Sequence, residues 1–572
     1  MKRILLLLLL AVSCAPKDGQ YIFRVLTTND IHGRYFDSLY VEKGIRNSMM
    51  SVSWYVDSIR TAAGRENVIL IDAGDFLQGD NASYYYNFVD TTSEHIFARI
   101  SEYMGYDAVI AGNHDIETGH KVYDRVLKDM DVPLLAANAI RTDNGKAYFP
   151  EYTVLRRNGL KIAIIGFTNP NIPNWLAPHL WSGMVFEDLV PYAQEVVDRV
   201  RSKENPHLVI VAVHAGTGLG DMSQKENAGM DMFKTLRGVD LLVCAHDHRP
   251  VTHDADSICL VNAGSRCGNL GMGTVTVNVE GGKVVSKSSD AELIRVRRSH
   301  RDTVMSALFH ADFEKVKAFT CREIGQLKSD LRTRDAYVGM SDYINLLHTL
   351  ALDGSPAKIS FAAPLTFDGT IKAGTLLYND LFTVYPFENQ LYVIKMTGKE
   401  IRNYLEYSYD SWIYTYSKAS KNLLKIVESA DPRTGRQRWS FAGRSYNFDS
   451  AGGLVYEVDV TKPYGERVRI ECLADGSLFD ESQTYDVAMT SYRANGGGGI
   501  LRHGAGIDTS RIDERVVGRY PEIRQMLYDY LLKYGSIDPQ VTGCRDVIGN
   551  WAFVPEKLAS PALEKDMALL FD

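Results

Sequence analysis

From Tyr21 to about residue 298 the chain alternates short apolar runs with longer polar, helix-like segments. The runs include Phe23-Arg24-Val25-Leu26, Val68-Ile69-Leu70-Ile71, Ala108-Val109-Ile110, Ile162-Ala163-Ile164-Ile165, Leu208-Val209-Ile210-Val211 and Leu241-Leu242-Val243. Such runs predict strands buried on both faces, and therefore a layered α/β core. Between 299 and 327, Ser306-Ala307-Leu308-Phe309-His310 and the charges around Lys315 predict a connecting helix. A second domain is expected over 328–548, with strands at Leu391 to Lys395, Val455 to Val460 and Tyr485 to Thr490 and a glycine cluster at Gly496 to Gly499. Residues 549–572 read as a tail.

Length agrees with this division, because 572 residues exceed what one hydrophobic core holds. Apolar content of 45% and charged content of 23% are ordinary for a folded soluble protein. The formal charge of -8 supplies no basic field for a nucleic-acid duplex, which excludes a duplex-binding module.

The first residues change the picture of location. Lys2 and Arg3 precede the apolar run Ile4 to Leu10, which is too short to span a bilayer, and Ala11-Val12-Ser13-Cys14 follows. This start resembles a bacterial lipoprotein signal, residues 1–20 being the leader region. The resemblance implies an exported chain, in the periplasm or at the cell surface, that meets the membrane only through a lipid on Cys14. An ordinary signal peptide is the alternative. No later stretch has the roughly 18 consecutive apolar residues needed to span. No two cysteines form a CxxC pair, and export permits disulfides among Cys244, Cys259 and Cys267.

Almost every apolar run ends in a residue able to bind metal. Asp30 and His32 follow the first, Asp75 the second and Asn113-His114-Asp115 the third. His214 follows Leu208 to Val213, and His246-Asp247-His248 follows Leu241 to Cys244. In open α/β sheets, sites form beyond the carboxyl ends of strands. One such residue is ordinarily a helix cap or a turn residue. Mixed oxygen and imidazole donors at five strand ends suit a pair of divalent ions.

The ordered set Asp-x-His, Gly-Asp, Gly-Asn-His-Asp, His and His-x-His resembles the calcineurin-like metallophosphoesterase family. The resemblance implies a four-layer domain over 21–298, with helices flanking a β-sandwich. It also implies that Asp30, His32 and His248 hold a first ion, that Asn113, His214 and His246 hold a second, and that Asp75 bridges them. Such an ion pair lowers the pKa of the attacking water and neutralises phosphate oxygens. Mn, Zn, Fe or Co fit the donor set, whereas three or four imidazoles disfavour Mg alone. His114 is expected to face the substrate and protonate the leaving oxygen. Glu117 stands where relatives carry Asp or Asn, and is expected to orient His114; a solvated first-turn acid is the alternative.

The second half narrows the substrate. Tyr385-Pro386-Phe387-Glu388-Asn389, Thr397-Gly398-Lys399-Glu400, Tyr446-Asn447-Phe448-Asp449 and Ser491-Tyr492-Arg493-Ala494-Asn495-Gly496 together resemble the α+β substrate domain of the secreted 5'-nucleotidase superfamily. By that resemblance Phe387 and Tyr492 clamp a nucleotide base and Asn389 bonds its edge. The glycines near 496 let backbone approach the ligand. Two departures matter. Ser360-Phe361-Ala362-Ala363-Pro364-Leu365 stands where typical 5'-nucleotidases carry a phosphate-contacting arginine, and Gly498 stands where they carry Asp. Both resemble the 2',3'-cyclic-nucleotide 2'-phosphodiesterase/3'-nucleotidase branch. The expected activity is therefore metal-dependent hydrolysis of a 2',3'-cyclic nucleotide and then of the 3'-monophosphate, by a monomer. A 5'-nucleotidase that also splits nucleotide sugars is the alternative enzyme, with Arg332 or Arg334 as its phosphate arginine, and a non-catalytic nucleotide-binding lipoprotein is the alternative of another class.

Overall fold

The apolar runs become short, wholly buried strands such as Val68–Asp72 and Leu208–Val213. The computed structural model describes residues 16–255, 258–387, 389–430, 437–542 and 545–571. Most of the expected leader, with Cys14, lies outside the described residues. The chain divides into two compact units. One holds the described residues up to Ile172 together with His179–Val316, and the other holds Pro173–Pro178 with the described residues from Lys317 onward.

The first unit contains two six-stranded sheets. One has the order Lys283–Arg295, Asn269–Glu280, Gly19–Thr28, Val68–Asp72, Ala108–Ile110, Leu134–Leu135. The other has the order Val251–Ala255, Ile258–Asn262, Leu241–Val243, Leu208–Val213, Leu160–Phe167, Tyr152–Arg157. The central strands of each are parallel, which gathers their carboxyl ends along one edge. The sheets share one core, in which Phe23, Ile69 and Ile110 meet Ile162, Ile210 and Val243. On the far face of the second sheet, Val209, Leu242 and Leu260 pack with Ala193, Val196 and Val200 of helix Leu189–Glu204. Helix Met49–Ala63 buries Val52 and Val56 and lies against Val68–Asp72 of the first sheet. Strands apolar on both faces thus give the expected sandwich flanked by helices. Cys244, Cys259 and Cys267 are buried as separate thiols.

The second unit is built on a five-stranded sheet of order Ser450–Gly452, Ile359–Ala362, Thr484–Thr490, Gln390–Thr397, Val516–Glu522. Thr397 and Glu400 form a capping box, each satisfying the other's backbone N–H, and so start helix Gly398–Trp412. No helix among the described residues is long and apolar enough to cross a membrane.

Two expectations need correction. The segment 299–327 is not one helix. It forms helices Thr303–Leu308 and His310–Thr320 and then strand Glu323–Leu327, which pairs with Gly374–Leu377 and Ser536–Ile537. Ladder pairing on both sides makes this segment a strand, and a register shift between Glu323 and Gly325 leaves its buried residues, Ile324 and Leu327, three apart rather than alternating. The residues read as a tail also fold. Strand Gly549–Val554 pairs in parallel with Leu454–Asp459, and helix Glu556–Phe571 follows. Its buried stripe runs Ala559, Ala562, Leu563, Asp566, Leu570, a helical period disguised by an acid. That acid is fully buried, and it accepts hydrogen bonds from Asn422 Nδ2 (2.6 Å), Leu423 N (2.7 Å) and Leu424 N (2.8 Å).

Replacing Asp566 by Ala leaves three buried donors without an acceptor, and should cost about 3 kcal/mol. The urea midpoint of the second unit, read by fluorescence of buried Trp412 and Trp551, should fall accordingly. An unchanged midpoint would show that the C-terminal helix is not fastened by this carboxylate.

Candidate metal centre

The strand ends deliver the candidate donors through strained backbone. Asp30, His32, Asp75, His246 and His248 all lie in the left-handed region, with φ of 47°, 48°, 61°, 70° and 59°. Such conformations cost roughly 1–3 kcal/mol each, and they persist where the surroundings impose them. Here the ligand loops are tied to each other: Asp30 N donates to Gly74 O and His32 N to Asp75 O, at 2.9 and 3.0 Å. The Asp115 carboxylate accepts from Asp75 N, Phe76 N, Leu77 N and Gly112 N at 2.7–2.9 Å. Gly112 permits this closeness, since a Cβ there would stand 2.2 Å from Asp75 Oδ1.

The structure brings the seven predicted donors into two adjoining groups. Donor atoms of Asp30, His32 and His248 lie within 4.8 Å of one another, as do those of Asp75, His214 and His246. Asn113 joins the second group, its Oδ1 lying 3.1 Å from His214 Nε2 and 2.9 Å from His246 Nδ1.

The hydrogen-bond roles test whether these residues suit a cation. His214 Nδ1 lies 2.7 Å from the Ala73 carbonyl oxygen and therefore donates to it. In the neutral ring Nε2 then presents a lone pair, yet it faces Asp75 Oδ2 at 3.1 Å and Asn113 Oδ1 at 3.1 Å. His32 repeats the pattern. Its Nδ1 is 3.1 Å from the Gln78 carbonyl oxygen, which leaves the Nε2 lone pair 2.9 Å from His248 Nε2. Asp30 Oδ1 is buried without a hydrogen-bond partner, 3.4 Å from His248 Nε2. Converging acceptors need a proton or a metal ion between them, so the donor set fits divalent ions.

In the metal-free protein, protons meet part of this need. Burial pushes His214 down, but the Asp75 carboxylate outweighs it and raises the imidazole to about 9. Asp75 is correspondingly held well below the usual carboxylate range: burial opposes this, and His214 and His114 overcome it. Burial holds His32 and His246 down to about 3, so both rings are neutral and able to coordinate.

His114 stands beside the groups, its ring 5.6 Å from that of His32. Its Nδ1 meets Glu117 Oε2 at 2.5 Å, so Glu117 orients the ring rather than facing solvent, as one of the two readings expected. Burial disfavours its charge, but Asp75 and Glu117 raise its pKa to about 10.

In the second unit the expected base contacts lie at one end of the central sheet. Leu391 pairs with Thr490, and Gln390 N donates to Ser491 Oγ at 3.1 Å, which places Phe387 and Asn389 in the loop beside Tyr492. Phe387 and Tyr492 are half-buried, and Asn389 Nδ2 donates to Tyr385 Oη at 3.2 Å.

Sequence reasoning assigned no holding role to Asp115, Asn29, Asn262 or Arg493. Arg493 makes a buried two-pronged pair with Asp449 at 2.7 and 2.9 Å, and also donates to Tyr446 O and Asn447 Oδ1. It therefore joins two segments that looked like separate motifs. The signal available for it was an arginine inside an otherwise apolar and small run, Ala488 to Gly499.

Residues 23–250 match the calcineurin-like phosphoesterase family, and residues 323–503 match the 5'-nucleotidase C-terminal domain family. The chain is 24% identical to a trifunctional nucleotide phosphoesterase protein of Bacillus subtilis, over 95% of this chain and 39% of that one, so it spans well under half of that relative's length. It is 24% identical to a 2',3'-cyclic-nucleotide 2'-phosphodiesterase/3'-nucleotidase of Haemophilus influenzae, over 93% of this chain and 87% of that one. Among solved structures, a candidate 5'-nucleotidase of Staphylococcus aureus in complex with alpha-ketoglutarate superposes with a TM-score of 0.75 at 20% identity, covering 93% of this chain and 99% of that one. This last likeness is one of fold.

The raised histidines make a pH prediction for the metal-free protein. A group raised above 6.5 stabilises the fold fully below that pH, and the contribution is lost as pH climbs through about 9 for His214 and about 10 for His114. Glu117→Gln should lower the His114 midpoint, followed by NMR of ε1-labelled histidine, and should leave that of His214 in place. An unmoved His114 midpoint would mean that Glu117 does not hold the ring's charge.

Proposed function

We propose that this chain, which belongs to the calcineurin-like phosphoesterases that carry a 5'-nucleotidase C-terminal domain, hydrolyses 2',3'-cyclic nucleotides and then the resulting 3'-nucleotides. Water adds at phosphorus and the bond to O2' breaks, giving a 3'-monophosphate. A second hydrolysis breaks the bond to O3' and releases nucleoside and phosphate.

Phosphoesterases of this family use divalent metals, and the residues placed to hold two ions are Asp30, His32 and His248 on one side and Asn113, His214 and His246 on the other, with Asp75 shared. Mn, Zn, Fe or Co suits these donors, and such ions would activate the attacking water and neutralise phosphate oxygens. The chain's own residues do the rest. Glu117 fixes Nδ1 of His114, which leaves Nε2–H to protonate the departing sugar oxygen. Phe387 and Tyr492 offer ring faces to a base, and Asn389 offers an amide oxygen to its edge. Base–aromatic stacking contributes about 1–3 kcal/mol and tolerates different bases.

The observation that carries the choice of branch is the surroundings of Gly498. It has a φ of 71°, and a Cβ there would stand 2.4 Å from both Arg493 Nη1 and Asn447 Oδ1. The position where typical 5'-nucleotidases carry Asp has no room for a side chain here. The same Arg493 binds the Tyr446–Asp449 segment, so the departure extends beyond one residue.

We further propose that the enzyme lies outside the cytoplasm, anchored through lipid on Cys14, a reading supported by the basic, apolar and small-residue start of the chain.

Steady-state rates on 2',3'-cAMP, 3'-AMP and 5'-AMP test the substrate. The first two should be turned over with higher kcat/KM, and washed intact cells should show the same activity if the enzyme is exported. A preference for 5'-AMP would favour the 5'-nucleotidase reading instead. Phe387→Ala should raise KM for nucleotides about tenfold or more, the equivalent of losing one stacking face, while a small aryl phosphate is hydrolysed as before. Equal loss on both substrates would remove Phe387 from the base clamp.

A further inference from the structure

We infer that Asn262, acting with Asn29, is a positioning residue that sets the metal affinity of the Asp30–His32–His248 group. The inference rests on the two-ion reading above.

Asn262 is fully buried at the end of strand Ile258–Asn262, beside Leu241–Val243, whose end carries His246 and His248. Its amide reaches two ways. Nδ2 donates to Asp247 Oδ1 at 2.9 Å, and Oδ1 accepts from Gly264 N at 3.0 Å and packs 3.2 Å from Asn29 Nδ2. Asp247 lies between the two histidines and also accepts from Thr217 N at 2.8 Å and Arg249 N at 3.1 Å, so holding Asp247 holds the His246–His248 turn.

On the other side, Asn29 Nδ2 lies 2.6 Å from Asp30 Oδ2 and 2.6 Å from Gly264 O, while its Oδ1 accepts from Ala263 N at 3.0 Å. Asp30 Oδ2 accepts in addition from His246 N at 3.0 Å. One carboxylate oxygen is therefore doubly held. The other, Oδ1, is buried with no hydrogen-bond partner and is turned toward His248. This hydrogen bonding thus selects which oxygen of Asp30 would face an ion, with Asn29 and the His246 N–H touching the carboxylate directly. It also fixes the register between the end of Gly19–Thr28 in one sheet and the end of Leu241–Val243 in the other.

Of the second group only His246 shares this support, through the Asp247 turn and its own N–H to Asp30; the other donors are held differently. His214 is anchored by the Ala73 carbonyl, and the Asp75 and Asn113 loops by Asp115. Loss of the Asn262 amide should therefore weaken one ion far more than the other. Residues that orient ligands through hydrogen bonds change metal affinity by about 10–100-fold when replaced.

The test titrates metal-stripped full-length protein with Mn2+ against a fluorescent chelator. Wild type should take up two ions. Asn262→Ala should keep one of these near its wild-type affinity and weaken the other about 10–100-fold. Activity at limiting Mn2+ should fall and return in excess Mn2+, with KM unchanged; a merely structural defect would not be rescued by metal. Asn29→Ala should reproduce the same asymmetric loss, and stands in if Asn262→Ala fails to fold. Wild-type affinities at both positions, or equal loss at both, overturn the inference. Wild-type protein that takes up no ion overturns the metal reading itself and this inference with it.

Discussion

Seven side chains that turn lone pairs toward one another are held only in part by hydrogen bonds among themselves. With neither a cation nor a proton between them, Asp75 Oδ2, Asn113 Oδ1 and the Nε2 of His214 would repel, so the fold adds restraint from outside. It does so in two ways. The backbone of Asp30, His32, Asp75, His246 and His248 is locked into left-handed turns. Outside the donors, the carbonyls of Ala73 and Gln78, the carboxylates of Asp115 and Asp247 and the amides of Asn29 and Asn262 fix which atom of each donor faces inward. The protons on His214 and His114 in the metal-free protein answer the same electrostatic demand that a divalent ion would answer.

The sheets make this restraint affordable. Strands buried on both faces are rigid, and their carboxyl ends all point to one edge. Strain of a few kcal/mol at that edge is small beside the burial of a core that joins both sheets. Among the described residues, seven of the ten non-glycine positions with positive φ are five of the candidate donors together with Arg266 and Cys267, which follow another strand of the same edge. Strain is therefore concentrated where donors must converge and is scarce elsewhere.

This distribution explains what could be read in advance. The seven donors were legible because each follows an apolar run and carries a chemical type that metal sites use. Asn262 also follows an apolar run, but an amide at a strand end looks like any turn residue, and its role exists only through partners more than two hundred residues away, such as Asn29. Asp115 was visible as part of a motif, yet nothing local showed that it receives four backbone N–H groups. The C-terminal helix was lost for a related reason. Asp566 sits within an apolar stripe, and only the distant donors of residues 422–424 turn that acid from a defect into a fastening. Local pattern reveals elements and donors, whereas long-range hydrogen bonding decides what holds them.

The same logic separates chemistry from selectivity. The donors of the first unit define a phosphoester hydrolase and are indifferent to what the phosphate is attached to. Under the proposed function discrimination falls to the second unit, where buried hydrogen bonds hold the glycine-rich stretch. Arg493 is buried against Asp449, which Tyr404 also engages, and it reaches the carbonyl of Gly497 and the side chain of Asn447. A buried charge pair contributes little net stability, since desolvation offsets its attraction, but breaking it leaves an unpaired charge. Its effect is to enforce one arrangement of the loop next to Tyr492. Gly498 can have no side chain in that arrangement. Asn447, Asp449, Arg493 and Gly498 are thus coupled by contact, and a side chain at position 498 would have to displace the Arg493 and Asn447 side chains.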